Sequence, residues 1–114
     1  MKGMFFQSKS RKYKDHPKFT GVQIAMLVAD GKSDMVSVSE LIIEPGVEVP
    51  VHTHDLQADS IYIVSGKARA FLNGEWDFVE SGDYLFVPPN AEHGISNTGR
   101  EPLRLFIHHS PPLF

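Results

Sequence analysis

A chain of 114 residues with 41% apolar residues, 22% charged residues and a net charge of −3 can bury one hydrophobic core, and we expect a single domain. The absence of cysteine excludes disulfides, thiolate metal sites, iron–sulfur clusters and cysteine nucleophiles, so the ligands of any metal are nitrogen and oxygen atoms. No apolar stretch resembles a signal-peptide core or reaches the length of a membrane span, which predicts a cytoplasmic protein with no membrane partner.

The beginning of the chain differs in charge from the rest. Residues 1–18 carry six basic side chains and one acidic side chain, a charge of +5, and the remainder of the chain carries −8. The basic segment has no repeated aromatic–basic pattern and the body of the protein is acidic, so we expect no nucleic-acid partner. We interpret residues 1–20 as an N-terminal arm, either solvated or crossing to a second copy, and residues 21–114 as the domain.

Short strands are predicted throughout the domain. Nine glycines and eight prolines interrupt the chain, and no window keeps the apolar i, i+3, i+4, i+7 spacing of a stable helix. In chain order, the predicted strands are residues 22–28, 35–43, 60–64, 67–72, 75–79, 84–87, 93–97 and 103–109. Asn73-Gly74 suits a two-residue type I′ turn between two of them. Many short strands with regular turns favour a sandwich or a closed barrel, because closure hides unpaired strand edges.

Two histidines, His52 and His54, lie one residue apart. In a strand, alternate side chains point to the same face, so this spacing delivers two imidazoles side by side. Taken alone, the pair is weak evidence of a metal site, because two histidines on an exposed strand face are often merely solvated. The sequence around the pair decides between these interpretations.

Two spaced patterns surround and follow the histidine pair. Residues 46–66 read G-x5-H-x-H-x4-D-x6-G, and residues 82–97 read G-x5-P-x-N-x2-H-x3-N. Together the patterns resemble the two motifs of the cupin superfamily, in its small, single-domain, RmlC-like form. The chain departs from those motifs twice, with Asp59 in place of glutamate and Asn90 in place of the usual glycine. Asparagine tolerates the left-handed backbone conformation that this turn requires, so the turn can still form.

The resemblance implies an all-β fold, the double-stranded β-helix or jelly-roll cupin barrel, with a metal centre inside it. His52, His54 and His93 occupy the positions of three metal ligands, and Asp59 occupies the position of the carboxylate. Such a set suits one divalent transition metal ion, Mn²⁺, Fe²⁺, Ni²⁺, Co²⁺ or Zn²⁺, and leaves positions for water or substrate. Because aspartate is one methylene shorter than glutamate, Asp59 either ligates the ion or orients an imidazole.

The strand after the first motif indicates the character of the pocket. Ala68, Ala70 and Leu72 share one face, and small side chains that point inward would leave room for a ligand beside the metal. We therefore expect an apolar pocket that binds a small molecule. Gln57, in the loop that carries the ligands, is the predicted polar substrate-binding residue.

The remaining histidines and two aromatic residues receive other interpretations. His108 and His109 are adjacent on the last predicted strand, so only one of them can face inward, and we interpret the pair as a strand end in contact with solvent. We interpret His16 as a surface histidine. Phe71 and Phe106 lie on the faces of their strands opposite the apolar stripes, which indicates a covered outer sheet face and therefore a homodimer.

These residues predict a metal-dependent enzyme that acts on a small metabolite chelating the ion through oxygen, of the oxygenase, decarboxylase or isomerase type. No general acid or base stands out, so no catalytic residue is assigned. A non-catalytic module that binds or senses a small molecule is the alternative, because one fold hosts many functions. A structural barrel with a vestigial site is a third interpretation.

Overall fold

The computed structural model describes residues 2–114, and its secondary structure is almost entirely β. A short 3-10 helix, Ser8–Ser10, lies near the beginning of the chain. The strands are β1 (Lys14–Asp15), β2 (Val22–Val28), β3 (Ser37–Ile43), β4 (Glu48–His52), β5 (Ala58–Ser65), β6 (Lys67–Leu72), β7 (Glu75–Glu80), β8 (Tyr84–Val87), β9 (His93–Ser96) and β10 (Leu103–Ser110). Within the described residues, no helix is long and apolar enough to cross a bilayer.

The strands form two antiparallel sheets that pack face to face. One sheet has six strands in the order β1-β2-β3-β10-β5-β8, and the other has four in the order β4-β9-β6-β7. Strands that are distant in sequence, such as β3 and β10 or β4 and β9, are hydrogen-bonded neighbours. This crossing of the chain between two sheets is the jelly-roll arrangement, so the predicted all-β barrel is confirmed.

The hydrophobic core lies between the inner faces of the two sheets. Ile24, Ile43, Ile63 and Leu103 come from four different strands, and each is 0% exposed. Along these strands buried residues alternate with more exposed ones, as the two-residue period of a strand requires. The core is therefore continuous, and the metal-ligand candidates are found at one end of it.

The predicted strands agree with the observed ones to within two residues at each end. The hairpin at Asn73-Gly74 has φ of 54° and 82° at these two residues, which confirms the predicted type I′ turn. Two observed strands were not predicted. The first, β1, has only two residues. The second, β4, contains Pro50, and its register with β9 shifts between Val49 and His52. Proline causes such irregularities because it lacks the amide proton that a regular ladder needs.

Much of the N-terminal arm is attached to the barrel. Lys14 and Asp15 form β1 and pair with β2. The side chains of Arg11 and Tyr13 each donate a hydrogen bond of 2.7 Å to the carboxylate of Glu40. Glu40 is 5% exposed, so this contact ties the arm to the middle of the six-stranded sheet. Residues 11–15 therefore pack on the surface of the barrel.

The turn before β9 contains Asn90, one of the two departures from the family motif. Asn90 has φ of 67°, which confirms that this position requires the left-handed conformation. Its backbone N–H donates a hydrogen bond of 2.8 Å to the carbonyl of His54. The turn of the second motif is thus joined directly to the histidine loop of the first motif.

We expect Asn90→Ala to destabilise the fold by about 1 kcal/mol relative to Asn90→Gly, because a β-carbon in the left-handed region costs about that much when no local hydrogen bond compensates it. The two variants are compared by urea denaturation, and neither substitution removes the backbone hydrogen bond to His54. Equal free energies of unfolding for Asn90→Ala and Asn90→Gly would show that the left-handed conformation is not retained.

Candidate metal centre

Two cross-strand pairs of side chains face each other inside the barrel. On the four-stranded sheet, His52 of β4 lies opposite His93 of β9. On the six-stranded sheet, Asp59 of β5 lies opposite His109 of β10. His54 follows β4 in the adjoining loop. Each sheet therefore contributes one pair, and the loop contributes the fifth side chain.

Asp59 lies at the middle of this cluster. Its Oδ2 atom is 3.1 Å from Nε2 of His93, 3.3 Å from Nε2 of His109 and 3.6 Å from Nε2 of His54. The ring centroids of His52 and His93 are 4.3 Å apart. Ligand atoms of His52, His54 and His93 lie within 4.8 Å of one another, and so do those of His54, Asp59 and His109. These residues could hold a divalent metal ion.

Backbone carbonyls fix the orientation of two of the imidazoles. Nδ1 of His52 is 2.7 Å from the carbonyl oxygen of Pro50, and Nδ1 of His93 is 3.0 Å from that of Ala91. A carbonyl only accepts hydrogen bonds, so Nδ1 of each ring donates and, in the neutral ring, Nε2 keeps its lone pair. That tautomer is the one in which Nε2 can ligate a metal, and the backbone acts as the outer hydrogen-bond partner.

The contact between His93 and Asp59 needs a positive charge. Nε2 of a neutral His93 and Oδ2 of Asp59 are both acceptors, yet they lie 3.1 Å apart. Either a proton or a metal ion between them removes the repulsion. Oδ1 of Asp59 and Nδ1 of His109 are in addition buried with no hydrogen-bond partner among residues 2–114, and buried polar atoms rarely stay unpaired. The donor set therefore fits a bound cation.

The electrostatics of the cluster suit metal binding. Burial raises the pKa of Asp59, but hydrogen bonds from His109 and His93 and the charges of both rings outweigh it and hold the pKa well below its usual value. Burial is the main reason that the pKa of His54 is lowered to about 4 and that of His52 is lowered too. Burial also lowers the pKa of His93, but hydrogen bonds to Asp59 and Ala91 and the charge of Asp59 outweigh it and raise the pKa. Near neutral pH the cluster thus offers a carboxylate and at least two neutral imidazoles.

His109 is a member of the cluster that the sequence interpretation missed. The expectation that His109 ends its strand in solvent is wrong, because its side chain is 5% exposed and points inward. The apolar residues Leu103, Leu105 and Ile107 alternate along β10, and His109 continues that inward series. This two-residue period was the available signal, and it also assigns His108 to the opposite, outer face.

The side chain of Gln57 contacts the segment that follows β10. Its side-chain Nε2 donates a hydrogen bond of 3.2 Å to the carbonyl of Pro112, and Gln57 is not among the described residues that line the cavity. Its predicted role in substrate binding stays a prediction. The small side chains of Ala68 and Ala70 are buried, as expected from their strand face.

A cavity of about 350 Å³ opens at the histidine cluster. The barrel residues that line it are apolar over most of the wall, and the five side chains of the cluster lie at one end. Two other segments also contribute to the wall, His16–Phe19 of the N-terminal arm and Leu113–Phe114. His16 is therefore a cavity residue in addition to being partly exposed.

Two known proteins are similar to this chain in sequence. The uncharacterized protein MJ1618 of Methanocaldococcus jannaschii is 32% identical over 76 residues, which cover 67% of this chain and 61% of that protein. Quercetin 2,3-dioxygenase of Bacillus subtilis is 32% identical over 75 residues, 64% of this chain and 22% of that protein. The chain thus spans less than two thirds of the length of either relative.

A solved RmlC-like cupin from Shewanella frigidimarina superposes with a TM-score of 0.81 at 24% identity, and the match covers 96% of this chain and 92% of that one. At this identity the superposition shows the fold alone. The sequence model of the cupin domain matches residues 39–109, more than half of the chain and the region that holds His52, His54, Asp59, His93 and His109. The chain belongs to the cupin family.

Proposed function

We propose that this protein is a metal-dependent enzyme whose small-molecule substrate binds the ion through oxygen, in a reaction of the oxygenase, decarboxylase or isomerase type. One observation carries the proposal: side chains from both sheets converge on a metal-binding geometry at the wall of a cavity of about 350 Å³. Cavities of roughly 300–1,000 Å³ with a few convergent polar groups are typical of sites for small molecules.

In this proposal His52, His54 and His93 hold one divalent ion, and Asp59 adds the carboxylate. When bound, such an ion polarises a substrate oxygen or lowers the pKa of a water molecule. Asp59 is 4% exposed, so its charge acts in surroundings that water screens little. Nε2 of His109 lies 3.3 Å from Oδ2 of Asp59, and in this proposal it donates to that oxygen and positions Asp59, a role that an outer hydrogen-bond partner commonly has at metal sites.

The residues of the cavity wall are compatible with two functions, a metal-dependent enzyme and a module that only binds a small molecule. The apolar residues of the wall offer water few hydrogen-bond partners beside the cluster, which favours chemistry at a substrate held there. A relative named quercetin 2,3-dioxygenase fits the oxygenase type of reaction. Among the described lining residues outside the cluster, however, only His16 and Lys18 have titratable side chains. This scarcity of acids and bases favours the alternative, a module that binds or senses a small molecule without changing it. The cytoplasmic location stays a prediction.

The test begins with elemental analysis of the untagged protein, where we expect about one divalent transition metal ion per chain. Protein loaded with Fe²⁺ or Mn²⁺ is then screened for turnover of small oxygen-chelating metabolites. His93→Ala should lose most of the metal and all turnover while circular dichroism shows an intact β-structure, because the core does not depend on His93. A folded wild type that retains no metal would contradict the proposal, and ligand-induced stabilisation without any turnover would favour the binding module.

The role of His109 makes a separate prediction. His109→Phe removes the donor to Asp59 and should weaken metal affinity by about 10- to 100-fold, the usual effect of losing an outer hydrogen-bond partner. His109→Gln keeps an N–H donor near the same place and should retain most of the affinity. Competition with a metal-chelating dye measures both variants.

The neighbouring residue supplies a matched control for His109. His108 lies on the outer face of the same strand, so His108→Phe should leave metal affinity unchanged. Equal losses for His109→Phe and His109→Gln would mean that the imidazole itself is required, as expected for a direct ligand. A wild-type affinity in His109→Phe would contradict any role in metal binding.

We also propose that the protein forms a homodimer through the outer face of the six-stranded sheet. Tyr62 of β5 lies between Tyr84 of β8 and Phe106 of β10 in the strand register. Tyr62, Tyr84 and Phe86 are 46%, 55% and 55% exposed, and contiguous exposed apolar residues commonly mark an interface. Phe71, in contrast, packs against Trp76 at a centroid distance of 5.4 Å, so part of its burial comes from within the chain.

Sedimentation at micromolar concentration should therefore show a dimer. Phe86→Glu should shift the protein toward monomer, because burying an unpaired charge in an apolar interface is costly. Phe78→Glu is the control, since Phe78 is 78% exposed on the other sheet. A monomeric wild type, or equal effects of the two substitutions, would contradict this interface.

A further inference from the structure

The cavity separates polar chemistry at one end from an apolar body at the other. The histidine cluster and Asp59 lie at the metal-binding end. The rest of the barrel wall is apolar apart from Ser39, with side chains such as Leu41, Ile61, Leu85 and Ile107. A ligand that fills the cavity must therefore bury apolar surface next to whatever group reaches the metal.

The volume of the cavity indicates how large the apolar part of a ligand can be. Its volume of about 350 Å³ is roughly twice that of an engineered cavity of about 150 Å³ that binds benzene. A chelating group with two or three heavy atoms leaves most of this space vacant. A ligand with a ring or a comparable apolar group uses it, and displaces water that has few polar partners on this wall.

The charge of the donor set favours an anionic chelating group. Asp59 has the only acidic side chain among the described residues that line the cavity. One carboxylate and neutral imidazoles leave a divalent ion with about one uncompensated positive charge. An uncompensated charge is costly in apolar surroundings, so a ligand that supplies a single negative charge through oxygen fits best.

Part of the wall near the metal comes from the N-terminal arm. The ring of Phe19 lies 6.3 Å from that of His52 and 4.7 Å from that of His16, centroid to centroid. Phe114 approaches His109 from another segment, at 5.9 Å. Aromatic rings therefore border the metal-binding end on two sides, and both belong to segments outside the strands, Phe19 before β2 and Phe114 after β10.

Hydrogen bonds to the barrel hold the arm in place, at His16 beside the cavity and at Glu40 on the outer face of the six-stranded sheet. The backbone N–H of His16 donates to the carbonyl of Val22 at 2.8 Å. Glu40 accepts hydrogen bonds from Arg11 and Tyr13 at 2.7 Å and from Arg104 at 3.0 Å. These contacts hold the arm against the barrel without any bound ligand. The part of the cavity wall that Phe19 forms is therefore already in place when a ligand enters.

We propose that the cavity selects a monoanionic oxygen chelator with an apolar, ring-sized body, and that Phe19 of the arm is a specificity-determining residue that packs against this body. The proposal rests on the metal site proposed above and names the class of ligand for it. Apolar burial supplies the selectivity, and the chelating group supplies the anchor.

The test uses two hydroxamic acids that bind metals through the same pair of oxygens, acetohydroxamate with a methyl group and benzohydroxamate with a phenyl ring. Titration calorimetry on Co²⁺- or Zn²⁺-loaded protein measures both. After correction for their affinities for the free ion, benzohydroxamate should bind about tenfold more tightly or better, because burial of the larger apolar group is favourable. Phe19→Ala should reduce its affinity by about three- to tenfold and leave that of acetohydroxamate within about twofold.

Each outcome bears on a stated claim. Equal corrected affinities for the two probes, or exclusion of benzohydroxamate, would overturn the ligand class while leaving the metal site intact. Failure of both probes to bind metal-loaded protein would instead contradict the open metal site. A second variant avoids the cavity: Glu40→Gln loosens the arm and should lower the benzohydroxamate preference as Phe19→Ala does. An unchanged preference in both variants would overturn the role of Phe19.

Discussion

Asp59 shares one carboxylate oxygen among three imidazoles, at 3.1 Å from His93, 3.3 Å from His109 and 3.6 Å from His54. A carboxylate that is 4% exposed must be paired, because an isolated buried charge is costly. The partners come from different strands and from the histidine loop. Correct pairing of β5 with β10 and of β4 with β9 is therefore a condition for a stable centre. A register slip of one residue would point these side chains out of the barrel.

A second buried carboxylate has a comparable structural role on the outside of the six-stranded sheet. Glu40 is 5% exposed and binds Arg11 and Tyr13 of the arm together with Arg104 of β10. Charge-assisted hydrogen bonds of this kind are stronger than neutral ones. The acid thereby fixes an arm whose next residues reach the cavity. One carboxylate organises the metal-binding end, and the other holds part of the wall.

Local structure prepares two of the imidazoles before any ion arrives. Each donates from Nδ1 to a carbonyl two residues earlier in the chain, His52 to Pro50 and His93 to Ala91. Nε2 of each neutral ring is then available as a ligand. His109 has no such carbonyl, since its Nδ1 is buried without a partner, and its contact with Asp59 depends on strand pairing alone. The two kinds of histidine thus differ in what orients them.

The two family motifs made most of the candidate metal centre predictable from the sequence. His52, His54, His93 and Asp59 were identified by their spacing, and the structure brings all four together. The left-handed turn at Asn90 was likewise expected from residue type and confirmed by its φ of 67°. Gln57 was expected to bind substrate, which stays a prediction, and its side chain donates to the carbonyl of Pro112. A side chain in a loop has no period from which its direction can be inferred, whereas a strand residue has one.

Sequence by itself determined eight of the ten strands, the turns between them and the chemical character of the ligand set, because these depend on residue type and on spacing over a few positions. Tertiary structure decided the rest. It placed His109 opposite Asp59, folded His16–Phe19 against the cavity, and buried Glu40 under the arm. Those contacts join residues that are far apart in the chain. Their register is set by the packing of two sheets around one core, and no local pattern of amino acids contains that information.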